Sequence, residues 1–325
     1  MARYLVTGGA GFIGSNFLVL LLNKKHSGVV CIDKYNYAAS DFNIHKLRKK
    51  PNFSVVKGDI TNTKDLDEIW QNPFDYIINF AAESHVDRSI NTPNIFFENN
   101  VLGTLNLLNK CLEHPPKLFL QISTDEVYGS IPKPHIADET SPLQPSNPYS
   151  ASKCCADLAA LSYYKTYSLP VIILRAVNNF GPRQYPEKLI PKVVIKALKN
   201  EKIPLYGDGQ AIRTWIYVVD FCRAILLALD KGIPGEIYNI GSQNEVANLE
   251  LVKKIFTLLG KNENLIEFVA DRPGHDQRYA LDFTKATTQL NYNERYPFDV
   301  ALENTVAWYK LHFDHYNKLT DKYVV

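Results

Sequence analysis

The segment Arg3-Tyr4-Leu5-Val6-Thr7-Gly8-Gly9-Ala10-Gly11-Phe12-Ile13-Gly14 decides how the rest of the chain is read. Arg3–Thr7 is a short apolar run of the kind that forms a strand buried on both faces, and glycines follow it directly. Behind the glycines, Ile13–Leu22 carries the spacing of an amphipathic helix. Gly8, Gly11 and Gly14 make a G-x-x-G-x-x-G pattern, a variant of the dinucleotide fingerprint. Its physics is the same: glycine permits the tight turn, and the backbone can approach a pyrophosphate at the helix N-terminus. A glycine string alone says little, and the strand–turn–helix context gives it weight.

Working outward, further apolar runs alternate with helical patterns. Val29–Asp33, Phe53–Val56, Tyr76–Phe80, Leu118–Ser123 and Val171–Arg175 read as strands. Thr63–Trp70, Ile95–Leu112 and Tyr149–Tyr167 read as helices. Repeated strand–helix–strand order predicts an α/β fold with a doubly wound parallel sheet, a Rossmann domain. After about residue 178 the pattern loosens into Pro- and Gly-punctuated loops, short helices and one more strand, Glu236–Ile240. This predicts a dinucleotide-binding part over 1–177 and a smaller, interwoven substrate part over 178–325, some of which returns to the first.

Asp33 closes the second strand, 19 positions after Gly14. An acid there bonds the adenosine ribose hydroxyls and repels a 2′-phosphate, so NAD is favoured over NADP. Asp59-Ile60 ends the third strand near the adenine, and the small Ala81-Ala82 pair ends the fourth where the cofactor passes. The fifth strand runs into Ser123-Thr124-Asp125-Glu126, and chemistry on such sheets happens at those strand ends. Two adjacent carboxylates suit a paired acid and base. Tyr149 and Lys153 lie one helical turn apart on one face, and a neighbouring ammonium would lower the tyrosine pKa toward working pH.

Composition narrows the classes. With 46% hydrophobic and 22% charged residues the chain has the make-up of a globular protein with a core. Its 36 basic and 34 acidic side chains, net +2, exclude a general nucleic-acid binder. Five cysteines without a Cys-x-x-Cys pair predict reduced, buried thiols and a cytoplasmic location. No signal peptide and no membrane-spanning segment is expected. His312 and His315 have metal-pair spacing but no third ligand, so they are expected at the surface, with no metal.

The motifs TGGAGFIGSN, AAESHVDRS, STDEVYG, NPYSASK, NNFGP, YPEKLIP, YNIG and DRPGHDQRY together resemble the extended short-chain dehydrogenase/reductases. Within that group the chain is most similar to the nucleotide-sugar 4,6-dehydratases of the dTDP-glucose 4,6-dehydratase type, over nearly its whole length and in order. STDEVYG discriminates, because related 4-epimerases carry small residues where Asp125 and Glu126 stand. The resemblance implies that Tyr149, helped by Lys153, takes the sugar 4-hydroxyl proton while hydride passes to NAD, with Thr124 bonded to the same oxygen. Glu126 then removes the carbon 5 proton, Asp125 protonates the leaving 6-hydroxyl, and hydride returns to carbon 6.

The same resemblance implies cofactor contacts at Gly8, Gly11, Phe12, Ile13, Gly14, Asp33, Lys34, Asp59, Ile60, Ala81, Ala82, Asn99, Tyr149, Lys153 and Asn179. It implies contacts to a nucleotide-diphosphate sugar at Ser84, Thr124, Asn178, Lys188, Leu189, Tyr206, Arg213, Asn248, Arg272 and His275. Arg213 and Arg272 can grip phosphate oxygens in a fork. His85 orients the cleft. The helices Ile95–Leu112 and Tyr149–Tyr167 carry surplus apolar residues, and the resemblance implies a homodimer through them. Departures from the usual bacterial pattern are Ala176-Val177, Phe180 and Thr214, together with a short 129–149 loop. They leave the catalytic set intact but keep UDP-glucose open as a donor beside the dTDP sugar that DRPGH favours. A nucleotide-sugar 4-epimerase and a non-catalytic NAD-binding protein are two further readings of the same fold.

Overall fold

A computed structural model describes residues 2–24 and 27–320. Twelve strands are present among them: β1 (Ala2–Thr7), β2 (Ser27–Asp33), β3 (Phe53–Lys57), β4 (Tyr76–Asn79), β5 (Leu118–Thr124) and β6 (Val171–Ala176), then β7 (Asn178–Phe180), β8 (Ile203–Tyr206), β9 (Ile212–Tyr217), β10 (Ile237–Ile240), β11 (Glu245–Ala247) and β12 (Ile266–Val269). Seven form one parallel sheet in the order β10-β6-β5-β4-β1-β2-β3. Read from its β3 edge, the run 3-2-1-4-5-6 is the Rossmann order, with β10 added beyond β6. The strand order reverses between β1 and β4, which opens a crevice at their C-terminal ends.

The central strands are the apolar runs seen in the sequence, and β5 is buried at every position. Leu5, Ile32, Ile77 and Phe119 face one layer of helices, while Val6, Cys31, Ile78 and Leu120 face the other. Alternate residues of the same strands thus fill two cores, as a sheet covered on both faces requires. The remaining strands form two small sheets, β11-β9-β7 and β12-β8. Residues of β8, β9 and the helices Leu189–Leu198 and Asn248–Leu259 line a hollow with Ser123, Thr124 and Ala176 at the C-terminal ends of β5 and β6.

Two sequence expectations need correction, and the partner of one strand is settled only by the fold. The strand near residue 240 comes from the part of the chain expected to return in places to the first, and β10 pairs with β6 in register Ile237↔Ile173. A four-residue apolar strand does not encode its partner; the buried Asn239 side chain, which accepts from the Tyr128 hydroxyl at 2.9 Å, helps to fix it there. The single helix read over Ile95–Leu112 is two α-helices, Pro93–Phe97 and Gly103–Glu113, joined by a π-turn over Glu98–Leu102. That wider turn aims Asn99 and Asn100 inward, which a uniform 3.6-residue period does not reveal. Finally, Cys155 is exposed, whereas the other four thiols are buried.

Candidate active site

The glycine turn is fixed by space. Gly8 sits at φ +66°, and a Cβ there would lie 2.8 Å from the Ala81 nitrogen on the neighbouring strand end. A Cβ on Gly14 would lie 2.5 Å from the Gly8 carbonyl oxygen. Both positions therefore reject any larger residue, and the opening of the helix Phe12–Leu21 stays bare for a ligand. Asp33 is buried beside the turn. Its Oδ2 accepts from the Ala10 amide at 2.9 Å and its Oδ1 from the Tyr35 amide at 2.8 Å. Burial raises its pKa, and these two amides oppose the rise.

Two adjoining hollows meet at Tyr149. The first runs over the strand ends and is lined by Gly8, Gly11, Phe12, Ile13, Gly14, Asp33, Lys34, Asp59, Ile60, Ala81, Ala82, Asn99, Tyr149 and Lys153. The Lys34 ammonium donates to Asn99 Oδ1 and lies 3.7 Å from Asp59. Asn179, expected with this group, lines the second hollow instead. That second hollow is also lined by Ser84, Thr124, Glu126, Tyr149, Asn178, Lys188, Leu189, Tyr206, Arg213, Asn248, Arg272 and His275. Asp125 lines neither and is buried behind the wall.

Tyr149 owes its place to a strong helix start. Asn147 caps the helix Pro148–Tyr167, its side chain accepting from the Ser150 amide while Ser150 Oγ accepts from the Asn147 amide. Pro148 fills the first turn, and Tyr149 and Lys153 follow on the face that abuts β5. The Lys153 ammonium donates to the Ile122 carbonyl at 2.6 Å. Burial pulls its pKa down to about 8, with Asp157 holding it up. Asp157 in turn accepts from Ser123 Oγ at 2.9 Å and from Arg175 Nε at 3.0 Å, a buried pair that braces the end of β5.

The expected lowering of the Tyr149 pKa is not present in the protein alone. Burial raises it well above the ordinary phenol value and the Glu126 charge adds to the rise, while a hydrogen bond with Thr124 opposes both. Sequence spacing places Lys153 on the correct face but cannot weigh burial, or reveal that the ammonium is held by a backbone carbonyl.

The carboxylates differ in their surroundings. Asp125 is pushed up to about 8, first by burial and then by the Glu126 charge, with Thr124 and Arg213 opposing. Its Oδ1 accepts from Thr124 Oγ1 at 3.2 Å, and its Oδ2 has no partner among the described residues. Glu126 is also raised by burial, but Arg272, Lys188 and Arg213 pull it back toward the ionised form. Asp125 thus holds a proton at neutral pH, while the raised Glu126 carboxyl is the one that three cations draw back toward the anion. Surroundings that differ in this way are how paired carboxyls come to divide acid from base.

The cations are themselves fixed. Arg213 donates to the Ile212 and Asp276 carbonyls, both at 2.8 Å, and lies over the Tyr279 ring. Arg272 donates to Asp87 at 2.9 Å, and Asp87 also accepts from the Tyr206 hydroxyl at 3.0 Å. His275 Nδ1 pairs with Asp271 at 2.6 Å. His85 caps the helix Val86–Asn91, with its pKa lowered to about 3 by burial and by Lys188, so it stays a neutral bracket. His312 and His315, expected at the surface, are half-buried: the His315 ring stacks on Phe42 at 3.8 Å between centroids and the His312 ring lies 4.6 Å from Trp308, at the edge of an aromatic cluster.

Sequence reasoning misses Glu187 and Tyr279. Glu187 lines both hollows, and the Tyr279 hydroxyl lies 3.4 Å from Glu126 Oε2. Each stands inside one of the motifs, YPEKLIP or DRPGHDQRY, close to residues that the resemblance does name. A carboxylate adjoining Lys188 is the available signal.

Fold and site together define a Rossmann protein in which a dinucleotide-type cleft opens into a second, cation-rich hollow. The chain belongs to the GDP-mannose 4,6 dehydratase family, whose model matches residues 5–305. Among curated relatives, the low-salt glycan biosynthesis protein Agl12 of Haloferax volcanii is 50% identical, over 94% of this chain and 97% of its own. A dTDP-glucose 4,6-dehydratase of Actinoplanes is 43% identical, over 95% and 98% respectively. Among solved structures, DesIV, the dTDP-glucose 4,6-dehydratase of Streptomyces venezuelae crystallised with NAD and a second ligand, superposes with a TM-score of 0.94 at 42% identity, covering 98% of this chain and 99% of that one.

Proposed function

We propose that the chain is a dTDP-glucose 4,6-dehydratase that uses NAD and releases dTDP-4-keto-6-deoxyglucose. The observation that carries this reading is the convergence of Tyr149, Thr124 and Glu126 on the hollow that adjoins the dinucleotide-type cleft, with a protonated Asp125 directly behind. A site for simple oxidation needs the tyrosine; two carboxyl groups in different electrostatic surroundings are what an elimination adds.

The first hollow fits NAD. Gly8 and Gly14 leave bare the space a pyrophosphate needs, and the Asp33 carboxylate stands where a 2′-phosphate would be repelled. We assign its lining residues to the cofactor, with Asn179 reaching it from the junction of the two hollows. When bound, NAD supplies the hydride acceptor for carbon 4, the donor for carbon 6 and a positive charge. On the protein side, Tyr149 takes the proton of the 4-hydroxyl while Thr124 bonds the same oxygen. Glu126 takes the carbon 5 proton once carbon 4 is a ketone, and later restores it. Asp125 gives its proton to the departing 6-hydroxyl, which leaves as water. Arg213, Arg272, Lys188 and Asn248 hold the diphosphate and nucleoside ends, beside Ser84, Asn178, Leu189, Tyr206 and His275.

We assign residues 1–177 mainly to the cofactor and 178–325 mainly to the nucleotide sugar. Ile95, Phe97 and Leu102 on one helical segment, and Leu158 and Tyr167 on the helix Pro148–Tyr167, are exposed apolar groups that support a homodimer through this face. No helix of the described residues is long and apolar enough to cross a membrane, and a cytoplasmic enzyme is the reading we adopt. Incubation with dTDP-glucose and, separately, UDP-glucose tests the proposal. Loss of one water from the dTDP sugar is expected; a product from UDP-glucose alone would reassign the donor.

The Asp125 environment gives a pH dependence. Its raised pKa means the acid form is present below about 8 and is lost as pH rises through that value. Turnover should therefore fall on the alkaline side with a midpoint near 8. In Asp125→Asn this limb should vanish along with most turnover. An unchanged limb in that variant would assign it to another group, with Lys153 the first to examine.

A further inference from the structure

Lys192 stands in the first turn of the helix Leu189–Leu198 and lines the second hollow, and none of the roles above uses it. The other cations of that wall are already engaged. Lys188 donates to the Ser84 carbonyl at 2.6 Å, and Arg272 and Arg213 have the partners described above. The Lys192 ammonium has no hydrogen-bond or ion-pair partner among the described residues. Asp87 and Glu187 act on it through space without a hydrogen bond. Asp87 is taken by Arg272 and Tyr206, and Glu187 accepts from the Tyr37 hydroxyl at 3.1 Å through Oε1 while its Oε2 has no hydrogen-bond partner among the described residues.

Burial holds the Lys192 pKa below the ordinary lysine value, and like charges at Lys196 and Lys188 push the same way. The side chain is half-buried in the wall of the hollow and its ammonium lacks a hydrogen-bonded acceptor, a deficit that a ligand oxygen relieves. Other polar atoms of residues lining the same hollow are buried without partners among the described residues, among them the donor Arg272 Nε and the acceptors Asn248 Oδ1 and Glu187 Oε2. The wall is thus short of partners at several residues that line one cavity, as a pocket built around a polar ligand would be.

We propose that Lys192 donates to an acceptor oxygen of the bound nucleoside diphosphate sugar, and that it sets how tightly this substrate is held without taking part in the chemistry. The inference rests on the dehydratase reading above. Diphosphate oxygens and pyrimidine carbonyls both accept from an ammonium, and the test separates them.

The protein as purified, with its cofactor, is titrated with dTDP and with thymidine in the wild type, Lys192→Met and Lys192→Gln, and turnover of dTDP-glucose is followed in parallel. Loss of one charge-assisted hydrogen bond weakens dTDP binding about 10- to 100-fold. KM should rise in the same sense while kcat stays within about twofold, the signature of an interaction made equally in ground and transition states. A loss seen with dTDP but not thymidine places the contact on the diphosphate; an equal loss with both places it on the base. Unchanged dTDP affinity in both variants overturns the proposal, as does a fall in kcat at constant KM. Melting temperature and cofactor content identify a misfolded variant, and the polar Lys192→Gln then decides if Lys192→Met fails to fold. A wild-type protein that binds dTDP yet dehydrates nothing defeats the dehydratase reading alone, because the Lys192 contact is still measured by binding.

Discussion

Replacing Tyr149 with Phe is expected to lower turnover of dTDP-glucose about 10²–10⁴-fold, the usual contribution of a positioned general base. The ring is retained, so its packing against Phe96, at 6.3 Å between centroids, survives along with the capped start of its helix. Only the hydroxyl that Thr124 bonds is removed. Substrate binding should change little, because the cations of the second hollow are untouched. The loss should therefore appear in kcat and kcat/KM together, as for an interaction made in the transition state. Burial raises the Tyr149 pKa in the protein alone, so the phenolate needs the positive charge of bound cofactor to form. The wild-type rate should accordingly fall at acid pH, and the variant should lack that dependence. Near wild-type turnover in a folded Tyr149→Phe protein would show that the tyrosine only fills space.

Glu126→Gln separates the two halves of the reaction. The amide keeps the shape and the contact with Tyr279, but it cannot accept the carbon 5 proton. With oxidation at carbon 4 assigned to Tyr149, as proposed above, that step should persist, so reduced-nicotinamide absorbance should rise in a single turnover and outlive its wild-type counterpart. Overall turnover should drop by about 10²-fold or more. Removing the Glu126 charge also relieves one of the groups that raise the Tyr149 pKa, so the oxidation step has no electrostatic reason to slow. If that step slows as much as overall turnover, Glu126 shapes the loop and is not the base. A melting temperature near the wild-type value is required for either reading.

These residues show what is legible in the sequence. The six strands of the Rossmann order are visible because a strand buried on both faces is written as an apolar run, and each lies within one or two residues of the ends its run suggests. Gly8 and Gly14 are visible because close backbone approach admits no other residue. The second hollow is assembled from β5, the loop after β6, the helix Leu189–Leu198, β9 and the 271–279 loop, and no local pattern brings those together. Motif resemblance names ten of its residues where periodicity cannot. What neither reaches is set by three-dimensional environment: the π-turn that aims Asn99, the pairing of β10, the seclusion of Asp125, and the unpartnered Lys192 ammonium. The mistaken expectation for Tyr149 has the same origin, since its pKa depends on burial and on a lysine whose ammonium is committed to the Ile122 carbonyl.

The central claim is that one site oxidises carbon 4, expels water and returns the same hydride to carbon 6. Feeding dTDP-glucose deuterated at carbon 4 tests it most directly, with product mass and the position of the label read by NMR. The expected product is lighter by one water and carries deuterium at carbon 6. Deuterium still at carbon 4 of an undehydrated sugar would mean epimerisation or no reaction, and a dehydrated product whose label has been lost to solvent would contradict internal hydride return.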